Sequence, residues 1–455
     1  MNLETIKNNH LNKLTDNGFE AYIVGGAVRD ILSNITPSDF DIATNASPDD
    51  ITIIFRDSNI DFVGKSFGVS IVDGLEIATY RKDKYNGFDS NDIEITRVKT
   101  IEEDLARRDF TINAMAMDNN GNVIDPFNGQ QDLKNKIIRF VGDPIDRIIE
   151  DPNRIIRACR FLAKVNGTFD ERSLTEMKNY INEYGISHIA PERIRIEILK
   201  AMEIKKASRF FEALYESKIL ALIFPELYKC CDHEHGNHHE EDIFNHMMLT
   251  GDSITTKNPL LKLAGYLHDI GKPQSFDHIK KTFYSHHRFG EEIVIGNLID
   301  LKFSNNEIEY IATIIRTHMM QTPKNHKHIR RTIKRFVDRK VDYRDWLRIK
   351  IADRNGRISN KSSYAISELK SILRNFINFK DNIYEVIKLP VNGNDVMNIL
   401  HLEQSKEVGN VLKNLLDYVI EHGDIVNNRD HLLEKITKEG SKLVSYTKPT
   451  DLPRE

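Results

Sequence analysis

The hydrophobic pattern of the chain changes near residue 145, and this change constrains the fold more than any other feature. Before it, short β-rich runs such as YIV (22–24), FDIAT, GVSIV and LEIATYR alternate with helical stretches and are bounded by Gly, Pro and Asp. After it, DPNRIIRACRFLAKV and PERIRIEILKAM carry apolar residues at i, i+3 and i+4. The sequence therefore predicts an α+β fold, with a mixed or antiparallel sheet at the front and helices behind it.

Chain length indicates several domains, and the sequence lacks features of exported or membrane proteins. A chain of 455 residues is too long for one hydrophobic core. We place the domains at 1–145, 146–225, 226–360 and 361–455. The first residues contain no signal-peptide core, and no apolar run reaches the length of a membrane span, so we expect a cytoplasmic protein without membrane contact. The cysteines, spaced neither as a disulfide framework nor as a zinc motif, are expected to be reduced: Cys159, Cys230 and Cys231.

Two carboxylates lie two residues apart in SDFDIAT, at Asp39 and Asp41. In a strand, residues two apart point to the same face, and adjacent carboxylates repel each other unless a cation lies between them. The pair therefore predicts a divalent-metal site, the alternative being a turn or a solvated strand edge. Glu76, in LEIATYR, is a candidate third carboxylate.

A glycine pair precedes the carboxylates, between a β run and a helix. Gly25 and Gly26 allow backbone N–H groups to approach a phosphate closely, the alternative being only a tight turn. Arg29, one turn into the helix, is expected to contact a triphosphate.

The segment GGAVRDILSNITPSDFDIAT resembles the signature of class II tRNA nucleotidyltransferases and bacterial poly(A) polymerases, which belong to the polymerase-β-like nucleotidyltransferase superfamily. The resemblance continues in order through GKSFG (64–68), ARRDFTINAMAMD (106–118), GQQDL (129–133), EDPNRIIRACRF (150–161) and ERIRIEILKAM (192–202).

This resemblance implies a two-metal reaction. Asp39 and Asp41 would hold two Mg²⁺ ions that activate the tRNA 3′-hydroxyl and stabilise the leaving pyrophosphate, with Glu76 near the hydroxyl. The residues implied to contact ribose and phosphates are those of the RRDFTIN motif: Arg107, Arg108, Asp109 and Asn113.

Base selection is expected to involve the EDPNR motif. If 150–161 is one helix, four side chains form a single stripe: Asp151, Arg154, Arg157 and Arg160. The resemblance implies that Asp151 and Arg154 read the base of CTP or ATP and that Glu150 orients Arg154, with Arg157 and Arg160 facing the phosphates or the reading pair. The alternative is an ordinary helix salt bridge from Glu150 to Arg154.

The resemblance implies the type of reaction but leaves several products open. CCA addition is the leading interpretation, and a CC-adding enzyme, an A-adding enzyme or a poly(A) polymerase are the alternatives. The segment between LEIATYR and RRDF is long enough for the flexible loop that assists the switch from C to A. Its middle is FDSN (88–91), where the family has an arginine and a proline after the glycine.

A second cluster of metal-ligand types lies between residues 246 and 353. HDIGKP resembles the HD superfamily of metal-dependent phosphohydrolases, whose ligands occur in the order His, His-Asp, Asp. The matching positions are His246, His268, Asp269 and Asp353, and His286 and His318 match the histidines of two-metal members. This set suits Mn, Fe, Co, Ni, Zn or Mg. The resemblance implies phosphatase and 2′,3′-cyclic phosphodiesterase activity. Earlier histidines at 233, 235, 238 and 239 are expected to be a polar linker or a metal-binding loop.

The net charge of −4 means that RNA contact must come from local patches. One candidate is the basic run 324–340, the alternative being a solvated helix face. The expected partners are the tRNA 3′ end, CTP and ATP. Two further alternatives are a catalytically inactive RNA-binding relative and a phosphohydrolase with a vestigial front half.

Overall fold

The computed structural model describes residues 3–61, 68–85, 93–231, 242–323, 326–356 and 389–444. The chain forms two compact units. One comprises residues 1–232, 255–263 and 296–304, and the other comprises residues 233–254, 264–295 and 305–455. The first contains a mixed sheet followed by helices and the second is mainly helical, so the predicted α+β fold is confirmed. The four domain boundaries stay a prediction.

The first unit is built on a seven-stranded sheet with the order β3-β4-β5-β2-β1-β8-β9. β2 and β5 pair in parallel, and the other neighbouring strands pair antiparallel. The strands are β1 (Ala21–Val24), β2 (Asp41–Thr44), β3 (Ile60–Asp61), β4 (Val69–Val72), β5 (Leu75–Thr79), β8 (Ala116–Met117) and β9 (Val123–Ile124). Separate two-stranded sheets form from β6 (Arg81–Tyr85) with β7 (Ile93–Arg97), and from β10 (Ile137–Ile138) with β11 (Thr168–Phe169).

Hydrophobic residues cover both faces of the central strands. Successive side chains in a strand point to opposite faces, so neighbours in the sequence pack into different cores. Ile23 and Ile42 lie in one hydrophobic core, whereas Val24 and Ala43, their chain neighbours, lie in another. The helices that accompany the sheet are α1 (Leu3–Ile6), a π-helical turn (Lys7–Leu11), α2 (Asn12–Asp16), α3 (Gly26–Leu32), α4 (Pro48–Ile54), α5 (Ile101–Ala106), a 3₁₀ turn (Thr111–Asn113) and α6 (Gly129–Asn135). Capping boxes from Ser47 to Asp50 and from Thr100 to Glu103 start α4 and α5.

Helices behind the sheet complete the first unit. Helix α8 packs against α10 and α11 through an apolar face that includes Ile155, Cys159 and Leu162. Proline at the first turn starts α7, α10 and α13, where its missing N–H costs no helical hydrogen bond. The helices are α7 (Pro144–Glu150), α8 (Asn153–Val165), α9 (Glu171–Tyr184), α10 (Pro191–Met202), α11 (Ser208–Glu216), α12 (Leu220–Ile223) and α13 (Pro225–Lys229).

The helices that follow include those that carry the histidine cluster: α14 (Ile243–Ser253), α15 (Pro259–Leu267), α16 (His286–Asp300), α17 (Asn305–Thr317), α18 (His326–Asp338) and α19 (Tyr343–Asn355). Packing of α14 on α19 brings His246 to Asp353. Trp346 is fully buried, and its indole N–H donates to the carbonyl of Thr317 (2.8 Å), which fixes the end of α17 beside His318. A short hairpin of β12 (Phe276–Asp277) and β13 (Thr282–Phe283) lies between α15 and α16.

Three final helices share their own core: α20 (Gly393–Leu400), α21 (Lys406–His422) and α22 (Arg429–Val444). Val396, Leu415 and Ile436 are among the residues buried there. Among the described residues, none of the helices combines the length and the apolar character that crossing a bilayer needs.

Gly167 marks a close approach of two backbone segments in the first unit. An added Cβ would lie 2.0 Å from the carbonyl oxygen of Lys136, beside the short β10–β11 pair. We expect Gly167→Ala to lower the free energy of unfolding by about 1–3 kcal/mol, the usual cost of overpacking. Gly296→Ala is the matched control, since a Cβ there meets nothing within 4 Å and alanine favours a helix. Thermal unfolding measures both variants, and equal midpoints would contradict the close approach.

Candidate functional site

Two of the three predicted carboxylates lie side by side on neighbouring strands. Asp41 is the first residue of β2, and its Cα partner in the parallel strand β5 is Glu76. Both side chains lie on the face that is exposed at this end of the sheet. Parallel pairing therefore brings together groups that are 35 residues apart in the sequence.

Asp39 lies outside the strand, so the prediction that it shares a strand face with Asp41 is wrong. The β1–β2 pairing ends at Val24 and Asp41, because the chain turns at Gly25 (φ 67°) into α3. Asp39 occupies the exposed segment before β2, where it accepts a hydrogen bond from the hydroxyl of Ser38 (3.0 Å).

The electrostatics of this carboxylate group favour a cation. Desolvation by surrounding protein raises the pKa of Asp41; the charge of Asp39 raises it further, whereas Arg108 opposes the rise. Desolvation and the charge of Asp41 likewise raise the pKa of Glu76. Carboxylates that destabilise one another's charged forms provide oxygen ligands suited to a hard divalent ion. The residues present therefore fit a divalent metal.

The glycine turn lies against an arginine of the RRDFTIN motif. A Cβ on Gly25 would lie 2.9 Å from a guanidinium nitrogen of Arg108, and the Gly25 N–H donates to Met115 O (3.2 Å). Gly26 begins α3 directly after this turn. Glycine at position 25 therefore allows the positive φ, and its lack of a Cβ allows the close approach of Arg108.

Arg29 is buried, with 4% of its surface exposed, and its guanidinium is engaged inside the protein. It donates to Asp30 (2.8 and 2.9 Å) and to the side-chain oxygen of Asn113 (2.6 Å). The structure thus places Arg29 beneath the glycine turn, as a support for Asn113. Its contact with a triphosphate stays a prediction.

Asp104, which the sequence analysis missed, holds both arginines of the RRDF motif. It accepts from Arg107 Nε (3.0 Å) and Arg108 Nη2 (3.2 Å), and Arg107 also pairs with Asp83 (3.1 Å). Burial raises the pKa of Asp104, but the two guanidiniums outweigh burial and hold that pKa below its ordinary value. The i, i+3 and i, i+4 spacing in DLARR was the available signal.

Asp109 is buried and joins the sheet region to helix α8. It accepts from Nε (3.0 Å) and Nη2 (2.6 Å) of Arg157 and from the amide of Asn113 (3.0 Å). Glu197 of α10, also missed, binds Arg157 and Arg160. We call this set the arginine network; its members are Arg29, Asp30, Asp109, Asn113, Arg157, Arg160, Lys164 and Glu197. Its two helix α8 arginines are engaged by protein carboxylates.

The predicted single helix over 150–161 is wrong, because the helix is interrupted at Asp151 and Pro152. Helix α7 ends at Glu150, Asp151 is extended (φ −153°, ψ 94°) and α8 begins at Asn153. Proline disfavours the helical conformation in the residue before it, which explains the break. Asp151 therefore does not lie on the stripe of α8 arginines.

Arg193 of α10 holds Asp151 through two hydrogen bonds, at 2.8 and 2.7 Å, a contact across 42 residues that the sequence analysis missed. Glu150 does pair with Arg154 (2.7 Å), and Arg154 also donates to the carbonyls of Arg147 and Arg107. Asp151 and Arg154 are thus both fixed at the α7–α8 junction. Their reading of a base stays a prediction.

The structure brings all six predicted HD ligands together in the second unit. Carboxylate oxygens of Asp269 lie 3.2 Å from Nε2 of His268, 3.2 Å from Nε2 of His286 and 3.4 Å from Nε2 of His318. His246 Nε2 lies 3.1 Å from Asp353 Oδ1. Two overlapping groups have ligand atoms within 4.8 Å of one another: His246, His268 and Asp353, and His268, Asp269 and His318.

Backbone carbonyls orient three of the imidazoles. Nδ1 of His268, His286 and His318 lies 2.9, 3.2 and 2.7 Å from the carbonyls of Gly265, Phe283 and Ile315. A carbonyl only accepts, so each Nδ1 carries the proton and each Nε2 presents its lone pair to the cluster. This donor set, imidazoles with carboxylates, fits a divalent metal ion.

The electrostatics of the cluster also suit a cation. Burial lowers the pKa of His318 to about 4, which favours the neutral imidazole that ligates metals. Burial also opposes charging of His268, but Asp269 and Asp353 outweigh it and raise its pKa. Lys272, missed in the HDIGK motif, lies 2.6 Å from Asp269 Oδ2. The carboxylates of Asp269 and Asp353 therefore favour positive charge beside them, which a bound metal ion would supply.

The basic run contributes to packing in its described part. Arg330 donates to the carbonyls of Ile420 (2.6 Å) and Glu421 (3.1 Å) at the end of α21, and Arg331 pairs with Glu421 (3.4 Å). Cations at a helix C-terminus offset its dipole. Residues 324–325 of the run, residues 64–67 of GKSFG, the loop at 88–91 and the histidines at 233–239 lie outside the described residues.

The HD cluster is expected to bind a divalent metal that stabilises the protein. His268→Ala removes the imidazole shared by both ligand groups, so we expect about a tenfold or greater loss of affinity for Mn²⁺ or Zn²⁺. Equilibrium dialysis of the metal-stripped protein measures this, and chelation should lower the thermal midpoint of the unaltered chain. His278→Ala, at an exposed position outside the cluster, is the control. Equal affinity in both variants would rule out the cluster as the metal site.

Comparison with known families assigns three segments in order along the chain. Residues 21–139 match the poly A polymerase head domain, residues 168–231 the probable RNA and SrmB-binding site of polymerase A, and residues 243–354 the HD domain.

Three relatives cover different shares of the chain. The CCA-adding enzyme of Oceanobacillus iheyensis is 38% identical over 213 residues, which are 46% of this chain and 52% of that protein. The chain thus matches about half the length of this relative. The multifunctional CCA protein of Legionella pneumophila is 30% identical over 66% of this chain and 74% of its own. The A-adding tRNA nucleotidyltransferase of Deinococcus radiodurans is 28% identical over 87% of this chain and 91% of its own.

Solved structures share the fold. The crystal structure of Bacillus stearothermophilus CCA-adding enzyme in complex with CTP has a TM-score of 0.66 at 21% identity, covering 97% of this chain and 99% of that one. The CCA-adding enzyme complex with ATP has a TM-score of 0.57 at 20% identity, covering 95% and 94%. The ordered family matches and the Legionella relative show that the chain belongs to the class II CCA tRNA nucleotidyltransferase family, in a form that carries an HD domain.

Proposed function

We propose that the chain adds CCA to the 3′ end of tRNA from CTP and ATP. The observation that carries this proposal is the register of β2 with β5, which sets Asp41 beside Glu76 next to the glycine turn and Arg108. Carboxylates that repel one another beside an arginine suit a triphosphate with its metal ions. Solved structures that share this fold include a CCA-adding enzyme with CTP, one with ATP, and a tRNA nucleotidyltransferase with a primer tRNA and an ATP analogue. Because these substrates occur in the cytoplasm, we expect the chain to work there.

The carboxylates would hold Mg²⁺, which supplies Lewis-acid chemistry and charge neutralisation when bound. Asp41 and Asp39 are the ligands in this proposal, and Glu76 faces the attacking 3′-hydroxyl. Arg108, held by Asp104, lies where it can balance phosphate charge. The tRNA 3′ oxygen forms the new bond to the α-phosphorus, the bond to the pyrophosphate oxygen breaks, and pyrophosphate leaves. In this proposal the residues position the 3′-hydroxyl and the triphosphate and balance the charge that develops on the phosphates.

Base choice in this proposal rests on the α7–α8 junction. Asp151 accepts from a base and Arg154 donates to it, as their chemistry allows. Arg193 holds Asp151 and Glu150 holds Arg154, so the two groups keep a fixed spacing. A fixed pair of donor and acceptor discriminates bases as a nucleic-acid template would.

A addition alone is a second candidate, because the Deinococcus A-adding enzyme matches 87% of this chain. One assay separates the candidates. Labelled CTP and then ATP are supplied to tRNA that lacks CCA and to tRNA that ends in CC. CCA addition extends both, whereas A addition extends only the second.

We also propose that the HD site hydrolyses phosphoesters, including 2′,3′-cyclic phosphates, so that one chain repairs damaged tRNA ends. Six residues would hold the divalent cation, which supplies Lewis-acid chemistry that activates water: His246, His268, Asp269, His286, His318 and Asp353. Water adds to phosphorus, the bond to the 2′ or 3′ oxygen breaks, and a phosphomonoester and a hydroxyl remain. Lys272, beside Asp269, is placed to balance phosphate charge.

Loss of Asp151 is expected to relax base choice. In Asp151→Ala the acceptor disappears and Arg193 loses its partner, so incorporation of UTP and GTP relative to CTP should rise about tenfold. Asp146→Ala, an exposed acid in α7, is the control and should keep the unaltered ratio. Misincorporation that stays at the unaltered level in Asp151→Ala would contradict base reading.

The two activities are expected to separate by mutation. Asp41→Asn removes a metal-binding charge and should reduce CTP incorporation about 100-fold or more while sparing 2′,3′-cyclic phosphate hydrolysis. Asp269→Ala should have the opposite effect. Asp57→Asn, an exposed acid in the first unit, is the control for both assays. Equal loss of both activities in either variant would sink the two-site proposal.

A further inference from the structure

The β12–β13 hairpin lies between two of the proposed HD ligands in the sequence, and residues at both of its ends contact these ligands. The carbonyl of Phe283 accepts from Nδ1 of the ligand His286 (3.2 Å). Lys272, at the other end, lies 2.6 Å from the ligand Asp269 and its ammonium lies 5.4 Å from the centre of the Phe283 ring. Whatever binds the hairpin is therefore held close to the HD site.

The tip of the hairpin is a fixed turn. The side chain of Asp277 accepts from the backbone N–H groups of Ile279 (2.9 Å) and Lys280 (3.0 Å), and its carbonyl accepts from Lys281 (2.7 Å). Phe276 and Phe283 pack across the strands with ring centres 5.1 Å apart. The groups at the tip are thus displayed on a preorganised support, which lowers the entropic cost of binding.

The hairpin exposes large apolar, aromatic and basic side chains together. Ile279 is 94% exposed and Tyr284 is 59% exposed, and the ammonium of Lys280 lies 5.3 Å from the Tyr284 ring. Other exposed basic groups accompany them: His278, Lys281 and Arg288. An exposed aromatic ring beside lysines is the combination that stacks on unpaired bases and neutralises phosphates.

Local charge favours a polyanion over a protein partner. Residues 271–288 contain four lysines and arginines and one acid, in a chain whose net charge is −4. The single acid is Asp277, whose carboxylate is engaged by the backbone of the turn. Asp277 also lowers the excess positive charge near Lys280 and His278, but one acid against four lysines and arginines leaves the segment with a net positive charge.

We propose that residues 276–284, here called the stacking hairpin, bind the last unpaired nucleotides of an RNA strand and so give the HD site a preference for RNA ends over free nucleotides. The proposal rests on the hydrolase activity proposed above. Tyr284, two residues before the ligand His286, would stack on a base close to the scissile phosphate, and Lys280 would bind the adjacent backbone phosphate.

The test compares two substrates of the full-length, metal-loaded chain: a nucleoside 2′,3′-cyclic phosphate, and a short single-stranded RNA with the same cyclic end. In Tyr284→Ala we expect KM for the RNA to rise about tenfold, with kcat unchanged and the mononucleotide affected less than about twofold. Tyr284→Phe keeps the ring and should restore the KM for RNA. Lys257→Ala, an exposed lysine elsewhere, is the matched control for Lys280→Ala.

An unchanged KM for RNA in Tyr284→Ala, or an equal effect on both substrates, would overturn the stacking hairpin. Photocrosslinking of RNA with a 3′-terminal 4-thiouridine provides a readout that needs no hydrolysis. Adducts within residues 276–284 support the proposal, and adducts confined to other segments, His286 included, overturn it. If the chain hydrolyses neither substrate, the proposed hydrolase function fails, and the crosslink alone then decides whether the hairpin binds RNA.

Discussion

The buried ion pair between Asp109 and Arg157 is the interaction on which the first unit depends. Burial raises the pKa of a carboxyl group, but Arg157 and Asn113 outweigh it and hold the pKa of Asp109 below its ordinary value. Removing Arg157 would leave the buried carboxylate of Asp109 without its cation, which costs about 3–5 kcal/mol for a broken buried pair. The pair therefore holds the RRDFTIN segment against helix α8.

The same pair organises its surroundings. Asn113 forms hydrogen bonds with both Asp109 and Arg29. Glu197, in α10, pairs with both Arg157 and Arg160. Phe161 packs among these guanidiniums, with Arg160 4.3 Å from its ring centre. Arg108 is held by Asp104 and Arg154 by Glu150. Many charged residues of the motifs are thus engaged in ion pairs within the protein.

Sequence reasoning succeeded where a signal is local. The glycine turn and the β2 and β5 strands were predicted, because each is encoded by a short pattern of residue types. The six HD residues were predicted from a family resemblance, and the structure brings their side chains together, whereas their binding of a metal stays a prediction. It failed where a contact joins distant residues. The Arg193–Asp151 pair spans 42 residues and the Glu197–Arg160 pair spans 37, and no periodicity predicts such partners. The prediction of one helix over 150–161 failed for a different reason. The helical spacing of the charged residues was given more weight than Pro152, which disfavours a helical conformation at Asp151.

The histidines of the HD cluster share one further property: each of three imidazoles bonds to the carbonyl three residues before it, from Gly265 to His268, Phe283 to His286 and Ile315 to His318. Ring orientation is therefore set within a single turn of backbone. The positions of these three imidazoles then depend on where α15 and α17 end and where α16 begins. A metal ion held by them would connect three boundaries of secondary structure, so a shift at any one of these boundaries would lower its affinity.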